Sequence, residues 1–164
     1  MQIDPKFRGG DSRPTLKIEY GCPEVPARLI AQTEFAMTNP RTILIVDDDV
    51  DLAEGLKLVL SRGGYRILQA RDGRQAKEVV DRERPDLVII DMMMPKMGGY
   101  PVLEHYKDHT DAPPFIMITA NEGTRHKAYA EYLGVVDYIR KPFAMDRLLE
   151  TVHKILAPQT DAAT

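Results

Sequence analysis

The chain has 164 residues, with 22 lysines and arginines, 25 aspartates and glutamates, 43% hydrophobic residues and a single cysteine, Cys22. At roughly 100–200 residues per domain, this length predicts one folded domain and excludes a two-domain enzyme. A net charge of −3 gives no source for the attraction that drives nucleic-acid binding, and no apolar run approaches the ~18 residues of a membrane span. We expect a cytoplasmic protein with no direct nucleic-acid binding and no membrane insertion.

The first 41 residues precede the first predicted strand, and their prolines and glycines interrupt any long element. One short helix is expected at 27–37, beginning after Pro26. We interpret 1–41 as a flexible extension in front of a domain at 42–157, followed by a tail at 158–164. Met37 would be a natural start for the domain, so residues 1–36 are either a disordered or over-extended start, or part of a segment whose helix docks on the domain or on a partner.

From residue 42 onward, short β-branched runs alternate with amphipathic helical stretches, which is typical of βα units and a parallel sheet. The first, third and fourth predicted strands are almost wholly apolar, as central strands are, whereas the second and fifth suit the edges. Among the five helical periodicities, the one near 128–133 is the weakest. Right-handed crossovers then predict a three-layer α/β sandwich. The predicted strands are 42–46, 66–70, 87–90, 115–119 and 137–140.

Distinctive polar residues follow the predicted strands, and working groups of parallel α/β sheets collect at such strand ends. Carboxylates a few ångströms apart repel by roughly 4 kcal/mol per pair at 4 Å and an effective dielectric near 20, so they need a cation. Oxygen ligands around a small site favour Mg²⁺ over the larger cage of Ca²⁺. A metal, a lysine and a threonine around one carboxylate suit phosphoryl transfer, with Asp91 as the nucleophile. The polar residues are Asp47, Asp48, Asp49, Asp91, Thr119 and Lys141.

Four motifs stand in order on these strand ends: IVDD at 45–48, DMMMPKMGG at 91–99, ITA at 118–120 and YIRKPF at 138–143. Together they resemble the receiver domain of two-component response regulators, in the stand-alone arrangement of chemotaxis regulators. The resemblance implies a flavodoxin-like fold, with a five-stranded parallel sheet and helices on both faces, over 42–157.

The resemblance also implies that Asp91 accepts a phosphoryl group from a sensor histidine kinase or a phosphotransfer protein. Asp48, Asp91 and the backbone carbonyl of Met93 would bind Mg²⁺ directly, and Asp47 would hold it through water. Lys141 would contact the phosphoryl group.

Two further residues would carry the switch in such a receiver. Thr119 would move to bond a phosphoryl oxygen, and Tyr138 would turn inward behind it. The Lys141–Pro142 bond is expected to be cis, and Gly98 is expected to loosen the loop after the third strand.

The chain is therefore expected to catalyse only its own phosphorylation and dephosphorylation, and not to be an enzyme in the ordinary sense. Its signal would leave through the surface of the fourth helix, fifth strand and fifth helix. Because residues 158–164 are too few for an output module, we expect output through a partner protein, a homodimer or a phosphorelay.

Two other functions compete with this interpretation. A haloacid-dehalogenase-type phosphatase would use Asp47 as nucleophile and Asp49 as acid/base, with Thr119 and Lys141 on the phosphate. Against it, no Gly-Thr follows the D-x-D motif, and Asp91 would have no role. A receiver-like module that is never phosphorylated is the other alternative. An EF-hand is set aside because Leu58 stands where its terminal glutamate belongs, and a dinucleotide site because no G-x-G-x-x-G follows the first strand.

Overall fold

The computed structural model describes residues 40–120 and 123–157, and for Thr124 the backbone alone. The predicted helix at 27–37, nearly all of the extension at 1–41 and the tail at 158–164 lie outside this part of the chain. The described residues form five strands and five helices in strict alternation. None of these helices has the length and apolarity needed to cross a membrane.

The strand bounds agree with the predicted ones except at the third strand, which extends one residue further and ends on Asp91 itself. The elements are β1 Thr42–Val46, α1 Val50–Arg62, β2 Arg66–Ala70, α2 Gly73–Glu83, β3 Leu87–Asp91, α3 Gly99–Tyr106, β4 Phe115–Thr119, α4 Thr124–Tyr132, β5 Asp137–Arg140 and α5 Met145–Leu156.

All five strands form one parallel sheet in the order β2-β1-β3-β4-β5, so the predicted edge strands β2 and β5 do lie at the edges. Val46 at the end of β1 pairs with Ile90 of β3, and Asp91 pairs with Ile118 of β4. This register aligns the carboxyl ends of the central strands, so the residues that follow them share one edge of the sheet. The flavodoxin-like fold is confirmed.

Side chains alternate between the two faces of the sheet, as the twofold period of a strand requires. Ile43 and Ile45 of β1 join a core cluster that contains buried residues of α1 and α5. Leu44 and Val46 join a second cluster, with residues of α2, α3 and the α4 region. Helices α1 and α5 therefore cover one face, and α2, α3 and α4 cover the other.

Candidate functional site

Three carboxylates meet at the carboxyl edge of the sheet. Asp47 follows β1 and Asp91 ends β3, so the parallel pairing of these strands sets them side by side. Both are buried, with 4% and 6% of their surface exposed, whereas Asp48 is exposed. One oxygen from each of the three lies within 4.8 Å of the others. The structure thus brings together the three acidic residues predicted to hold a metal ion.

Lys141 bridges two of these carboxylates from the end of β5. Its ammonium lies 2.8 Å from Asp47 Oδ2 and 3.1 Å from Asp91 Oδ1. The backbone N–H of Lys141 donates to the Thr119 carbonyl at 2.7 Å, and the Lys141–Pro142 bond is cis, as expected. The lysine is therefore aimed at the acidic cluster by the pairing of β4 with β5.

The second oxygen of each buried carboxylate accepts a local backbone hydrogen bond. Asp47 Oδ1 accepts from the N–H of Asp49 at 2.9 Å, and Asp91 Oδ2 accepts from the N–H of Met93 at 3.1 Å. A carboxylate held by a lysine on one oxygen and by the backbone on the other has little rotational freedom. The local turns after β1 and β3 therefore orient the carboxylates.

At this site, burial and nearby charges have opposing effects on the pKa values of the ionisable side chains. Burial raises the pKa of Asp91 above its ordinary value, although the Lys141 ammonium and the Met93 N–H pull it down. Burial lowers the pKa of Lys141, but the hydrogen bond to Asp47 and the charge of Asp91 outweigh this and raise it. Lys141 therefore stays charged at neutral pH, and the ionised form of Asp91 is kept at a free-energy cost.

The donor set fits a small hard cation. Mg²⁺ binds oxygen at about 2.0–2.1 Å in octahedral geometry, so opposite ligands lie about 4.2 Å apart. One oxygen from each of the three carboxylates lies within 4.8 Å of the others, so they are close enough to surround one such ion, with Asp47 acting through water. Three carboxylates against one ammonium also leave an excess of negative charge that a divalent ion would neutralise. Binding of the metal ion by the Met93 carbonyl stays a prediction, because the hydrogen bond that Met93 makes to Asp91 is through its N–H.

Thr119 and Tyr138 lie behind the acidic cluster and contact each other. Thr119 ends β4, is fully buried and directs its hydroxyl to the sulfur of Met92 at 3.7 Å. Burial raises the pKa of Tyr138, and a hydrogen bond between its side chain and that of Thr119 opposes the rise. Tyr138 is half-buried against the α2–α4 side of the core. The movements expected of these two residues stay predictions.

The loop after β3 makes a close turn at Gly98 and is hydrogen-bonded to the start of α2. A Cβ at this position would lie 2.5 Å from the Met92 carbonyl oxygen, so the glycine permits a close turn. The Gly73 N–H at the start of α2 donates to the Met97 carbonyl at 2.8 Å. Gly98 therefore serves a close backbone approach, and its expected effect on the mobility of the loop stays a prediction.

Asp72 is a buried acidic residue for which the sequence predicts no role in the site. Its side chain caps α2 by accepting from the N–H groups of Arg74 and Gln75, each at 3.0 Å. The Lys96 ammonium, on the loop after β3, lies 3.4 Å from Asp72 Oδ2. The Asp-Gly pair at 72–73 ahead of a helical pattern signals a helix cap, but no local pattern predicts the contact with Lys96.

Comparison with known proteins agrees with this geometry. The sequence model of the response regulator receiver domain matches residues 43–153. The response regulator MprA of Mycolicibacterium vanbaalenii is 36% identical over 121 residues, which are 74% of this chain and 52% of MprA. MprA of Mycobacterium leprae is 37% identical over 114 residues, 70% of this chain and 50% of the relative. The chain thus spans about half the length of these curated relatives.

Solved receiver domains share the fold. The receiver domain of a Francisella response regulator superposes with a TM-score of 0.67 at 30% identity, covering 71% of this chain and 96% of its own. The non-phosphorylated HemR receiver domain of Leptospira biflexa gives 0.67 at 28% identity, with 72% and 95% covered. The family match extends over more than half of the chain, from the start of β1 into α5. The chain belongs to the response regulator receiver domain family.

Proposed function

We propose that this protein accepts a phosphoryl group on Asp91 from a sensor histidine kinase or a phosphotransfer protein, with Mg²⁺ bound. The observation that carries the proposal is the position of Asp91, which is buried at the edge where the strands end. It lies 3.1 Å from the Lys141 ammonium and within one acidic cluster with Asp47 and Asp48. Family membership supports the same function.

In the transfer step, an oxygen of Asp91 forms a bond to phosphorus while the phosphorus–nitrogen bond of the donor phosphohistidine breaks. The electron pair of that bond remains on the imidazole nitrogen, and the product on Asp91 is an acyl phosphate. Lys141 would contribute a fixed positive charge beside the equatorial oxygens of the phosphoryl group. Mg²⁺ would be held by Asp48, Asp91 and the Met93 carbonyl, with Asp47 acting through water, and it would neutralise the charge that accumulates there.

The phosphorylated state would be read at the surface of α4, β5 and α5. Thr119 would bond a phosphoryl oxygen, and Tyr138 would follow it. A change from mostly inactive to mostly active requires about 5.5 kcal/mol of differential stabilisation. The bonds that one phosphoryl group makes to Lys141, Thr119 and a metal ion are a sufficient source. Output would pass to a partner protein, to a second copy or along a phosphorelay.

Within this proposal, the protein catalyses only its own phosphorylation and the hydrolysis of its own acyl phosphate. It acts in the cytoplasm, where the kinase domain of a sensor presents its phosphohistidine. The exposed side chain of Met93, two residues past Asp91, is apolar and cannot orient an attacking water.

The direct test is labelling by acetyl phosphate with Mg²⁺, followed by intact mass measurement. We expect the wild-type protein to gain one phosphoryl group, and the gain to vanish with a chelator or in Asp91→Asn. The matched control is Asp49→Asn, which changes a neighbouring carboxylate outside the cluster and keeps a residue that caps α1 equally well. This control should be labelled like the wild type.

Two results would contradict the proposal. Labelling that survives Asp91→Asn and disappears in Asp47→Asn would favour a phosphatase-like use of Asp47. A wild-type protein that binds neither acetyl phosphate nor beryllofluoride would instead be an interaction module that is never phosphorylated.

A further inference from the structure

Helix α4 buries little apolar surface within its own length, although Leu133, the residue that follows it, is buried in the core. Among its described side chains, which exclude that of Thr124, Ala130 alone is buried. Tyr129 and Tyr132 are 41% and 67% exposed. A helix that buries so little must be held in place by other contacts.

Those contacts come from α3, and Tyr100 makes the largest share of them. Its hydroxyl donates to the backbone carbonyl of His126 at 2.9 Å. Its ring is stacked with the His126 imidazole at 6.2 Å between centroids and meets the Tyr129 ring edge-on at 5.2 Å. One half-buried side chain of α3 therefore contacts two residues of α4.

Two more exposed contacts join the same pair of helices. The Tyr129 hydroxyl donates to Glu104 Oε1 at 2.5 Å, and the Lys107 ammonium lies 3.6 Å from the centre of the Tyr132 ring. Both are made by surface side chains, so neither adds a buried apolar anchor. The position of α4 thus depends in part on hydrogen bonds and ring contacts to α3.

Tyr100 also lies next to the switch pair. It packs against the same core cluster as Tyr138. Burial raises the pKa of Tyr100, and proximity to the hydroxyls of Tyr138 and Tyr129 raises it further. Tyr138 is in turn bonded to Thr119. Tyr138 is therefore bonded to Thr119 on one side and shares a core cluster with Tyr100, whose hydroxyl is bonded to the backbone of α4.

We propose that Tyr100 is a third member of the switch, a positioning residue that transmits the movement of Tyr138 to α4 through its bond to the His126 carbonyl. The inference rests on the proposed phosphorylation of Asp91. When Thr119 turns toward a phosphoryl oxygen, its bond to Tyr138 is lost and the Tyr138 ring shifts beside Tyr100. Tyr100 then gives up the His126 carbonyl, and α4 separates from α3.

The test is amide hydrogen exchange of the full chain with and without beryllofluoride and Mg²⁺, in the wild type and in Tyr100→Phe. Fluorine NMR of the same samples reports whether beryllofluoride is bound. We expect the ligand to speed exchange in wild-type α4 by about fivefold, the fold-change of one lost hydrogen bond. In Tyr100→Phe we expect fast exchange in α4 already without ligand, little further change on binding, and beryllofluoride binding that is retained and up to about fivefold tighter, because the bond no longer has to be broken.

The matched control is Tyr65→Phe, because Tyr65 bonds His153 of α5 at 3.0 Å on the opposite face of the sheet. It should behave as the wild type does in α4. A double variant of Tyr100 and Tyr138, both changed to Phe, separates a relay from simple loss of packing. In a relay, α4 of the unliganded double variant exchanges no faster than α4 of Tyr100→Phe, whereas independent effects would add.

Each remaining outcome of these experiments would contradict either the relay alone or the proposed function together with the relay. Beryllofluoride bound to Tyr100→Phe with a wild-type response in α4 would overturn the relay and leave phosphorylation intact. Additive acceleration of α4 exchange in the unliganded double variant would overturn it as well. Failure of the wild type to bind beryllofluoride would overturn the proposed function and, with it, the relay.

Discussion

Helices α4 and α5 flank the last strand of the sheet, yet they are attached in different ways. Leu148 and Val152 of α5 are fully buried in the cluster that also receives α1. In α4, among the side chains that the structure describes, Ala130 alone is buried. The contacts of α4 with α3 are instead a hydrogen bond from Tyr100, ring contacts and exposed polar pairs.

This difference indicates which of the two helices can move at a low cost in free energy. Withdrawing α5 would expose aliphatic side chains, each worth about 1.5–3 kcal/mol of burial. Releasing α4 would break hydrogen bonds that contribute about 0.5–1.5 kcal/mol each and can be re-formed with water. We therefore expect the proposed phosphorylation at the shared edge of the sheet to shift α4 while α1 and α5 stay in place.

The largest expected effect is on the free energy of unfolding, and it concerns α5, the helix that is held by buried aliphatic side chains. We predict that Leu148→Ala lowers the free energy of unfolding by about 3 kcal/mol, because it leaves a cavity at a fully buried position. Urea unfolding at neutral pH measures it. Leu58→Ala, at a side chain that is 55% exposed on α1, is the control and should change stability by less than about 0.5 kcal/mol. A loss below about 1 kcal/mol in Leu148→Ala would mean that α5 is not the fixed helix.

The next largest effect on stability is expected at Lys141, beside the acidic cluster. Lys141→Met should lower the free energy of unfolding by about 2 kcal/mol, since it leaves Asp47 and Asp91 facing each other without their cation. This is less than the 3–5 kcal/mol of a fully buried pair, because the lysine side chain is 22% exposed. Added Mg²⁺ should restore more stability to the variant than it adds to the wild type. Equal gains in both proteins would contradict a metal site at these carboxylates.

A smaller effect is expected from the charge of Asp91. Its pKa is raised by burial, so its ionised form destabilises the folded state at pH values above that raised pKa. Asp91→Asn should therefore be more stable than the wild type at pH 7. The difference should shrink as the pH falls through the raised pKa toward the ordinary value of 3.8, where the wild-type residue is also neutral. Thermal unfolding at several pH values measures this, and a less stable variant at pH 7 would show that Lys141 outweighs burial.

The smallest expected effect on stability concerns α4, the helix that is expected to move. Tyr129→Phe removes the hydroxyl bonded to Glu104 and should lower global stability by no more than about 0.5 kcal/mol, since both groups are exposed. Amide exchange should nevertheless become faster within α4 and remain unchanged in α5. Equal acceleration in both helices would remove the contrast between them.

Much of the fold could be predicted because its signals are local. Short β-branched runs of four or five residues predicted strand bounds that differ from the structure by a single residue, at Asp91. The grouping of Asp47, Asp91 and Lys141 followed from the rule that parallel strands end at one edge, which does not depend on fine geometry.

The parts that escaped prediction depend on packing between distant segments. The contact of Lys96 with Asp72 requires the backbone of the loop after β3, where Lys96 has a positive φ of 67°. The contacts of Tyr100 with α4 require two helices to lie side by side, and α4 has the weakest periodicity in the sequence. Apolar patterns report burial against the sheet, so they say little about a helix held by rings and hydrogen bonds.

The most direct test of the central claim is to find which residue carries the phosphoryl group. Borohydride reduces an aspartyl phosphate to homoserine, and peptide mass spectrometry then locates the reduced position. After treatment with a histidine kinase or acetyl phosphate in the presence of Mg²⁺, we predict homoserine at position 91 alone. Homoserine at position 47, or phosphate recovered on a residue outside the acidic cluster, would contradict the account.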